Sequence, residues 1–304
     1  MKRRDFLQQT AATTALVTLG GVGLQSFSTS KTKQITILHT NDVHSHIDPF
    51  GPDDGRNANK GGVARRANLV EAIRNENPNT LLLDAGDIFQ GTPYFNFYGG
   101  ELEFKLMSML KYDAATIGNH DFDNGIDGLY KQLPHADFEF VTANYDFSNT
   151  IMDTHVKPYK IFVKDGIKIG IFGLGIALDG LVLKSLFKET VYLNPIEIAQ
   201  DMSRILKEDE QCDLVICLSH LGYNYKNNPN IASDLNLARA TKDIDLIIGG
   251  HTHTFLRKPT IEKNIIDKNV LVNQVGCYGL YLGRIDFYFD GDKNKSANGT
   301  SIIV

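Results

Sequence analysis

From about residue 34 to residue 250, short apolar runs rich in β-branched residues alternate with amphipathic segments. The runs are Ile35-Thr36-Ile37-Leu38, Thr80-Leu81-Leu82-Leu83, Ala114-Ala115-Thr116-Ile117, Ile167 to Phe172, Leu214 to Leu218 and Ile244 to Ile248. Near-continuous apolar runs of this length mark strands covered on both faces. The segments between them predict helices over Ala64–Asn75, after Gly61-Gly62, and over Glu101–Leu110, where Leu102, Leu106, Met109 and Leu110 recur at helical spacing. A third is expected over Pro195–Lys207, with Asn194 as its cap and proline in its first turn. Extra strands are expected around 138–173 and 270–289. The chain is therefore α/β, with no internal repeat and no Pro/Ser-rich linker, and one main domain is expected. Two long polar connections, Ser45–Gly62 and Gly222–Asn230, interrupt it, and loops of that length are often functional. After Gly291 the polar stretch DKNKSANGTS predicts a frayed tail over 291–304.

Composition narrows the class. Of 304 residues, 42% are apolar and 22% charged, which excludes collagen-like, coiled-coil and wholly disordered chains. The formal net charge is −5, from 31 basic and 36 acidic residues, so the basic surplus of a nucleic-acid binder is missing and no polymeric nucleic acid is expected as a partner. No apolar stretch is long enough for a spanning helix. Three cysteines give no disulfide framework, and Cys212 and Cys217, in or beside an apolar run, read as small buried residues. The N-terminus is a separate matter. Lys2-Arg3-Arg4-Asp5-Phe6-Leu7 followed by the apolar run Ala11–Leu24 resembles a twin-arginine export signal over residues 1–28. Export to the periplasm or cell surface follows as an expectation, with cleavage near Ser26-Phe27-Ser28 or a retained anchor as the alternatives. That route carries folded proteins and would suit a chain that loads metal before export.

The candidate chemistry lies at the ends of the apolar runs. They hand over in turn to His39-Thr40-Asn41-Asp42-Val43-His44, to Asp84-Ala85-Gly86-Asp87, to Gly118-Asn119-His120-Asp121, to Ser219-His220 and to Gly249-Gly250-His251-Thr252-His253. Ligands of open α/β sheets bind at the carboxyl ends of strands. Any one Asp or His after a strand is ordinary turn chemistry, but five such blocks at one edge point to a shared site. Imidazole, carboxylate and amide oxygen without thiolate suit zinc, manganese, iron or cobalt rather than calcium or a structural zinc. Seven candidate ligands are too many for one tetrahedral ion. If Asp87 bridges, they supply four bonds to each of two ions, and a pair of metals about 3.5–4 Å apart serves in-line displacement at phosphorus.

Asp42-x-His44, Gly86-Asp87, Gly118-Asn119-His120-Asp121, His220 and Gly250-His251-Thr252-His253 resemble, in order and local spacing, the five-block signature of calcineurin-like metallophosphoesterases. The surrounding residues, His39-Thr40-Asn41-Asp42, Gly86 to Pro93 and Asn119 to Gly125, are similar to the 5′-nucleotidase branch. That branch includes UDP-sugar hydrolases and 2′,3′-cyclic phosphodiesterases. The resemblance covers about residues 34 to 289, within a metallophosphoesterase domain placed at 31–290. It implies a four-layer αββα sandwich of two mixed sheets, the metallophosphatase fold, and two divalent metal ions. Asp42, His44, Asp87 and His253 would hold the first ion, and Asp87, Asn119, His220 and His251 the second. It further implies that His120 is the catalytic histidine and Asp123 the acid that orients it, with metal-hydroxide attack on a nucleotide or related phosphoester. Family 5′-nucleotidases hold the nucleoside in a C-terminal domain that is expected to be absent here, so a separate chain resembling that domain is an expected partner, or else the site is open. A 2′,3′-cyclic phosphodiesterase, a sulfur-ester hydrolase and a scavenging subunit are the competing readings.

Among the residues beside these motifs, His39 is expected to support the sheet edge, and His46 less expected to face the site. His135 and His155 read as surface residues, Asp84 as a partner of the Asp87 loop, and Asp121 as a turn acid at least as readily as a catalytic one. Of Arg65 and Arg66 one is expected to be solvated. The cluster Tyr94-Phe95-Asn96-Phe97-Tyr98 reads equally as a covered apolar patch or as a base-stacking surface.

Overall fold

In the computed structural model, residues 32–228 and 230–304 are described. The expected export signal and its cleavage site, over residues 1–28, lie outside them.

Strands β1 (Lys33–Thr40), β2 (Thr80–Asp84), β3 (Ala114–Ala115) and β4 (Glu139–Phe140) run parallel, and β13 (Tyr281–Phe289) and β14 (Lys295–Ile303) complete a six-stranded sheet in the order β14-β13-β1-β2-β3-β4. A second six-stranded sheet has the order β11-β12-β10-β9-β7-β6, from β6 (Tyr159–Lys164), β7 (Ile167–Leu174), β9 (Leu214–Ser219), β10 (Leu246–Gly249), β11 (Thr260–Lys263) and β12 (Asn269–Asn273). Its four inner strands are parallel and its two edges antiparallel. The short pair β5 (Tyr145–Asp146) and β8 (Val191–Tyr192) stands apart from both.

The period-2 alternation of each strand serves two cores. Ile35, Ile37, Leu81 and Leu83 of the first sheet pack on Ile169, Ile171, Leu214, Ile216, Leu218 and Ile248 of the second. Their neighbours Leu38 and Leu82 turn the other way, onto Val70 and Ile73 of α1 (Val63–Glu76), Phe104 and Met107 of α3 (Glu101–Met109) and Leu129 of α4 (Gly125–Gln132). On the far side, Phe172, Val215 and Ile247 meet Ala199 of α6 (Pro195–Arg204) and Leu237 of α7 (Asp234–Ala240). Helix, sheet, sheet, helix is the expected four-layer arrangement. Both faces of each inner strand are apolar because both are covered, which is why the runs read as continuous. The short helices α2 (Pro93–Tyr98) and α5 (Lys184–Phe187) are additions that the apolar pattern does not signal.

Three expectations need revision. The helical stripe over Glu101–Leu110 is rotated: Met109 is 76% exposed, while Phe104 is fully buried against Phe89, Phe138 and Phe140. Aromatic packing outranks the aliphatic spacing. The helix expected to run to Lys207 is α-helical only to Arg204 and continues as a π turn over Ile205–Asp209, which brings Leu206 into the core. Residues 291–304 are not a frayed tail: β14 pairs antiparallel with β13 along nine residues, and Val304 is 8% exposed in the helix-side core. The polar side chains of this segment belong to an edge strand, where polarity is the normal protection against aggregation. One glycine helps to set the first sheet. A Cβ on Gly283 would stand 2.0 Å from His39 Nε2, so glycine in β13 makes room for that imidazole.

A chain ending at Asp290 loses the β13–β14 ladder and the burial of Val304, and should be destabilised by at least about 2 kcal/mol. Urea unfolding checks this, and an unchanged midpoint would mean that β14 contributes nothing to the fold.

Candidate active site

All five motif blocks leave the sheets at the carboxyl ends of parallel strands: after β1, β2, β3, β9 and β10. The first three belong to one sheet and the last two to the other, so the site straddles the seam between them. Two groups form there. Asp42, His44 and His253 offer ligand atoms that all lie within 4.8 Å of one another, and so do Asp87, His220 and His251. Asp87 joins the groups, since its Oδ2 is 3.1 Å from His220 Nε2 and 3.8 Å from His44 Nε2. Asn119 meets the second group, its Oδ1 2.9 Å from His251 Nδ1. The seven expected ligands are therefore together.

The backbone is strained where they sit. Asp42, His44, Asp87, His251 and His253 have φ between 50° and 70°. Left-handed conformation is uncommon for residues other than glycine and costs of order 1–3 kcal/mol each, and such strain clusters at functional sites. Backbone bonds over-determine it: the Asp42 N–H donates to Gly86 O at 2.9 Å, the His44 N–H to Asp87 O at 3.1 Å, and the His251 N–H to the Asp42 carboxylate at 2.9 Å.

The imidazoles are held by one nitrogen and present the other. His220 Nδ1 is 2.7 Å from Ala85 O and His44 Nδ1 is 3.2 Å from Phe89 O, so each donates its Nδ1 hydrogen to a carbonyl and turns Nε2 inward. Buried His220 Nε2 makes no aligned hydrogen bond. His44 Nε2 and His253 Nε2 face each other at 3.0 Å. With its hydrogen on Nδ1, a neutral His220 aims the Nε2 lone pair at the Asp87 carboxylate 3.1 Å away, an arrangement that positive charge relieves. The electrostatics of the site point the same way. Burial opposes protonation of His220, yet the adjacent Asp87 charge drives its pKa up to about 10. The hydrogen bond to Asp42, reinforced by Cys277, raises His253 to about 10. His251, buried and beside His220, is pushed down to about 4. Burial pushes Asp87 up, but the surrounding imidazoles, His220 foremost, outweigh it and hold the carboxyl below its ordinary range. These residues fit divalent cations, which would replace the protons: the donor set is nitrogen and oxygen, the Nε2 atoms of His44 and His220 face inward, and their Nδ1 atoms are fixed by carbonyls as those of metal-binding histidines usually are.

His120 follows Asn119 on the same turn. Its Nδ1 is 2.8 Å from Asp123 Oδ2, and its ring centroid lies 5.3 Å from that of His44. The Asp123 hydrogen bond is the main reason its pKa is raised. The ring is part-exposed, at the mouth rather than in the floor.

The supporting residues are less legible in the sequence. Asp121 is a brace: its carboxylate accepts the N–H groups of Gly118 (2.7 Å), Ile88 (2.9 Å), Asp87 (3.1 Å) and Phe89 (3.1 Å), fixing the loop that carries Asp87. Burial lifts its pKa to about 7. Asp84 accepts Thr40 Oγ1 at 2.6 Å and the Gly86 N–H at 2.9 Å. Asn41 donates to the Asp42 carboxylate at 2.6 Å and receives the Val275 N–H at 3.0 Å. Gln274 bonds Gly250 O at 2.7 Å and Asp234 at 3.0 Å, steadying the His251 turn. Sequence reasoning misses Gln274 and Asp234 because neither lies in a motif block. His39 is wholly buried and 2.9 Å from Asn273, as a support should be. His46 lies beside the site, its ring 4.3 Å from that of Tyr278. His135 and His155 are remote from it, near Glu101 and Tyr130. Arg66 is buried and Arg65 exposed. In the aromatic cluster Phe95 is buried against Phe89, while Phe97 and Tyr98 are 82% and 53% exposed.

Residues 35–255 match the calcineurin-like phosphoesterase family. The chain belongs to that family. Relatives include a venom 5′-nucleotidase of Crotalus adamanteus, 34% identical over 89% of this chain and 48% of that protein, and the Homo sapiens 5′-nucleotidase, 32% identical over 97% and 53%. The trifunctional nucleotide phosphoesterase YfkN of Bacillus subtilis is 33% identical over 84% of this chain but only 18% of its own length. Among solved structures, a 5′-nucleotidase precursor from Thermus thermophilus superposes with a TM-score of 0.80 at 34% identity, covering 90% of this chain and 55% of that one. The chain thus spans about half the length of most of these relatives, or less.

Asp121→Ala would leave four loop N–H groups without their acceptor. It should cost at least about 3 kcal/mol and reduce bound metal although Asp121 belongs to neither ligand group. Thermal unfolding with elemental analysis checks this; full metal content at unchanged stability would remove the bracing role.

Proposed function

We propose that this family member is a dinuclear, metal-dependent phosphohydrolase of 5′-nucleotidase type, releasing phosphate from nucleotides or related phosphoesters. The observation that carries the reading is Asp87: one buried carboxylate faces imidazoles of both ligand groups, His44 at 3.8 Å and His220 at 3.1 Å. Asp42, His44, Asp87 and His253 would hold one divalent ion, and Asp87, Asn119, His220 and His251 the other, as Mn, Zn, Fe or Co. When bound, such ions supply a nucleophilic oxygen at neutral pH and Lewis-acid polarisation of the phosphoryl group.

The remaining work falls to the chain. Asp123 fixes His120 through Nδ1, so Nε2 is the nitrogen left to donate toward the phosphoryl and leaving oxygens, where negative charge builds. Asp87 Oδ1 takes the His120 N–H at 2.8 Å, which ties the position of this imidazole to the metal-binding carboxylate. Nucleotide as the substrate rests on the similarity to 5′-nucleotidases, whose own chains are about twice as long. A separately encoded substrate-binding chain would then raise selectivity. Export by the twin-arginine route rests on Arg3-Arg4 and the apolar run behind them.

Asp87→Asn should lower occupancy of both ions, whereas His44→Ala should mainly affect one, as measured by elemental analysis of purified protein. His120→Ala should keep its metal and lose roughly 10²–10³-fold in kcat on AMP, with a smaller loss for Asp123→Asn and for p-nitrophenyl phosphate. Chelation should abolish phosphate release and Mn²⁺ or Co²⁺ restore it. One ion or none in active wild-type protein would refute the dinuclear reading, and a His120→Ala protein stripped of metal would refute the role of that histidine.

A further inference from the structure

The connection Ser45–Gly62 is pinned rather than loose. The Phe50 N–H donates to Lys60 O at 2.9 Å, the Val63 N–H to Ile47 O at 2.8 Å, and the Gly61 N–H to Val304 O at 2.8 Å. The C-terminal strand therefore braces this loop. Between the loop and the turn after β12 lies a cleft of about 280 Å³, which the ligand residue His253 lines on one side. Arg56 and Lys60 from the loop line it too, as do Phe255 and Tyr281. The cleft and the first ligand group thus share His253.

Its chemistry is specific. Lys60 Nζ bonds only the Arg56 carbonyl, at 2.5 Å, and among the described residues neither Arg56 nor Lys60 has a carboxylate partner. Of the three acids of the loop, Asp54 takes the Gly51 N–H at 2.5 Å, Asp48 takes the Tyr94 hydroxyl at 2.6 Å, and Asp53 is exposed and pairs with neither cation. Two unpaired cations in an acidic chain mark a place for an anion. Phe255 is 44% exposed and rests on Tyr281, their ring centroids 4.2 Å apart, so the outer ring is backed by a second and offers a flat face. A group that satisfies both features carries a planar ring and a second phosphoryl.

We propose that this cleft is a subsite, built by the metal domain itself, for the part of a nucleotide remote from the reacting phosphorus. Phe255 stacks the base, and Arg56 and Lys60 grip a second phosphoryl group. The proposal rests on the phosphohydrolase reading for what occupies the neighbouring ligand groups. It replaces the expectation of a wholly open site with a loop-borne specificity element, and binding energy gained here could be used to position the reacting group.

The test is calorimetric binding of the adenosine diphosphate analogue with a methylene bridge between its phosphorus atoms, to the Mn²⁺-loaded full chain, with inorganic phosphate as the second probe. Arg56→Ala/Lys60→Ala should weaken the analogue about tenfold, more at low salt than at high, and Phe255→Ala about fivefold. Phosphate affinity should change less than about twofold in both. Folding is checked by the unfolding midpoint, and Arg56→Lys should recover part of the loss. An unchanged analogue affinity, an equal loss for phosphate, or no analogue binding by wild-type protein would overturn the subsite. Failure of the wild-type chain to release phosphate from p-nitrophenyl phosphate would overturn the hydrolase reading instead, and the binding ratios would stand apart from it.

Discussion

The burial of Asp42 and Asp87 at the seam between two sheets is the constraint on which the site depends. Both come from the first sheet, and much of what faces them comes from the second: His220 and His251 toward Asp87, His253 and the His251 N–H toward Asp42. Carboxylates so deeply buried are costly unless positive charge meets them. Protons on the histidines are one answer, and they require imidazoles far from their usual pKa. Divalent cations are the better answer, because they satisfy the carboxylates and the inward nitrogens together. Cations bound there would also tie the sheets to each other, so metal affinity and fold stability are linked.

The strain at the candidate ligands follows from the same constraint. A parallel strand delivers its last residue to the sheet edge, but its next residues must turn sharply for a side chain to reach the seam. Asp42, His44, Asp87, His251 and His253 do so in left-handed conformation. Asp121, Asp84, Asn41 and Gln274 hold those turns through backbone N–H and C=O groups. Precision is thereby gained from rigid strand ends and a hydrogen-bonded support, not from the ligand side chains alone.

Much of this was legible in the chain. Continuous apolar runs marked the doubly covered strands, and the polar block after each marked the residues that gather at the seam, because strand polarity and site position are coupled in α/β sheets. What escaped has physical reasons. The β14 segment is polar because it is an edge, so its pattern does not differ from that of a solvated tail. Helix α3 turns on the bulk of Phe104, which aliphatic spacing ignores. Asp121 reads as a turn acid in sequence, and only the convergence of four N–H groups from two loops reveals its work. Gln274 and Asp234 lie far from any motif and meet the site through the fold.

The proposed function requires the seam to hold two ions joined by Asp87. Anomalous diffraction at the manganese edge, from crystals grown with Mn²⁺, addresses it directly. Two peaks about 3.5–4 Å apart, with the Asp87 carboxylate between them and His44 and His220 on opposite sides, are the predicted result. A single peak, or two peaks that do not share Asp87, would contradict it.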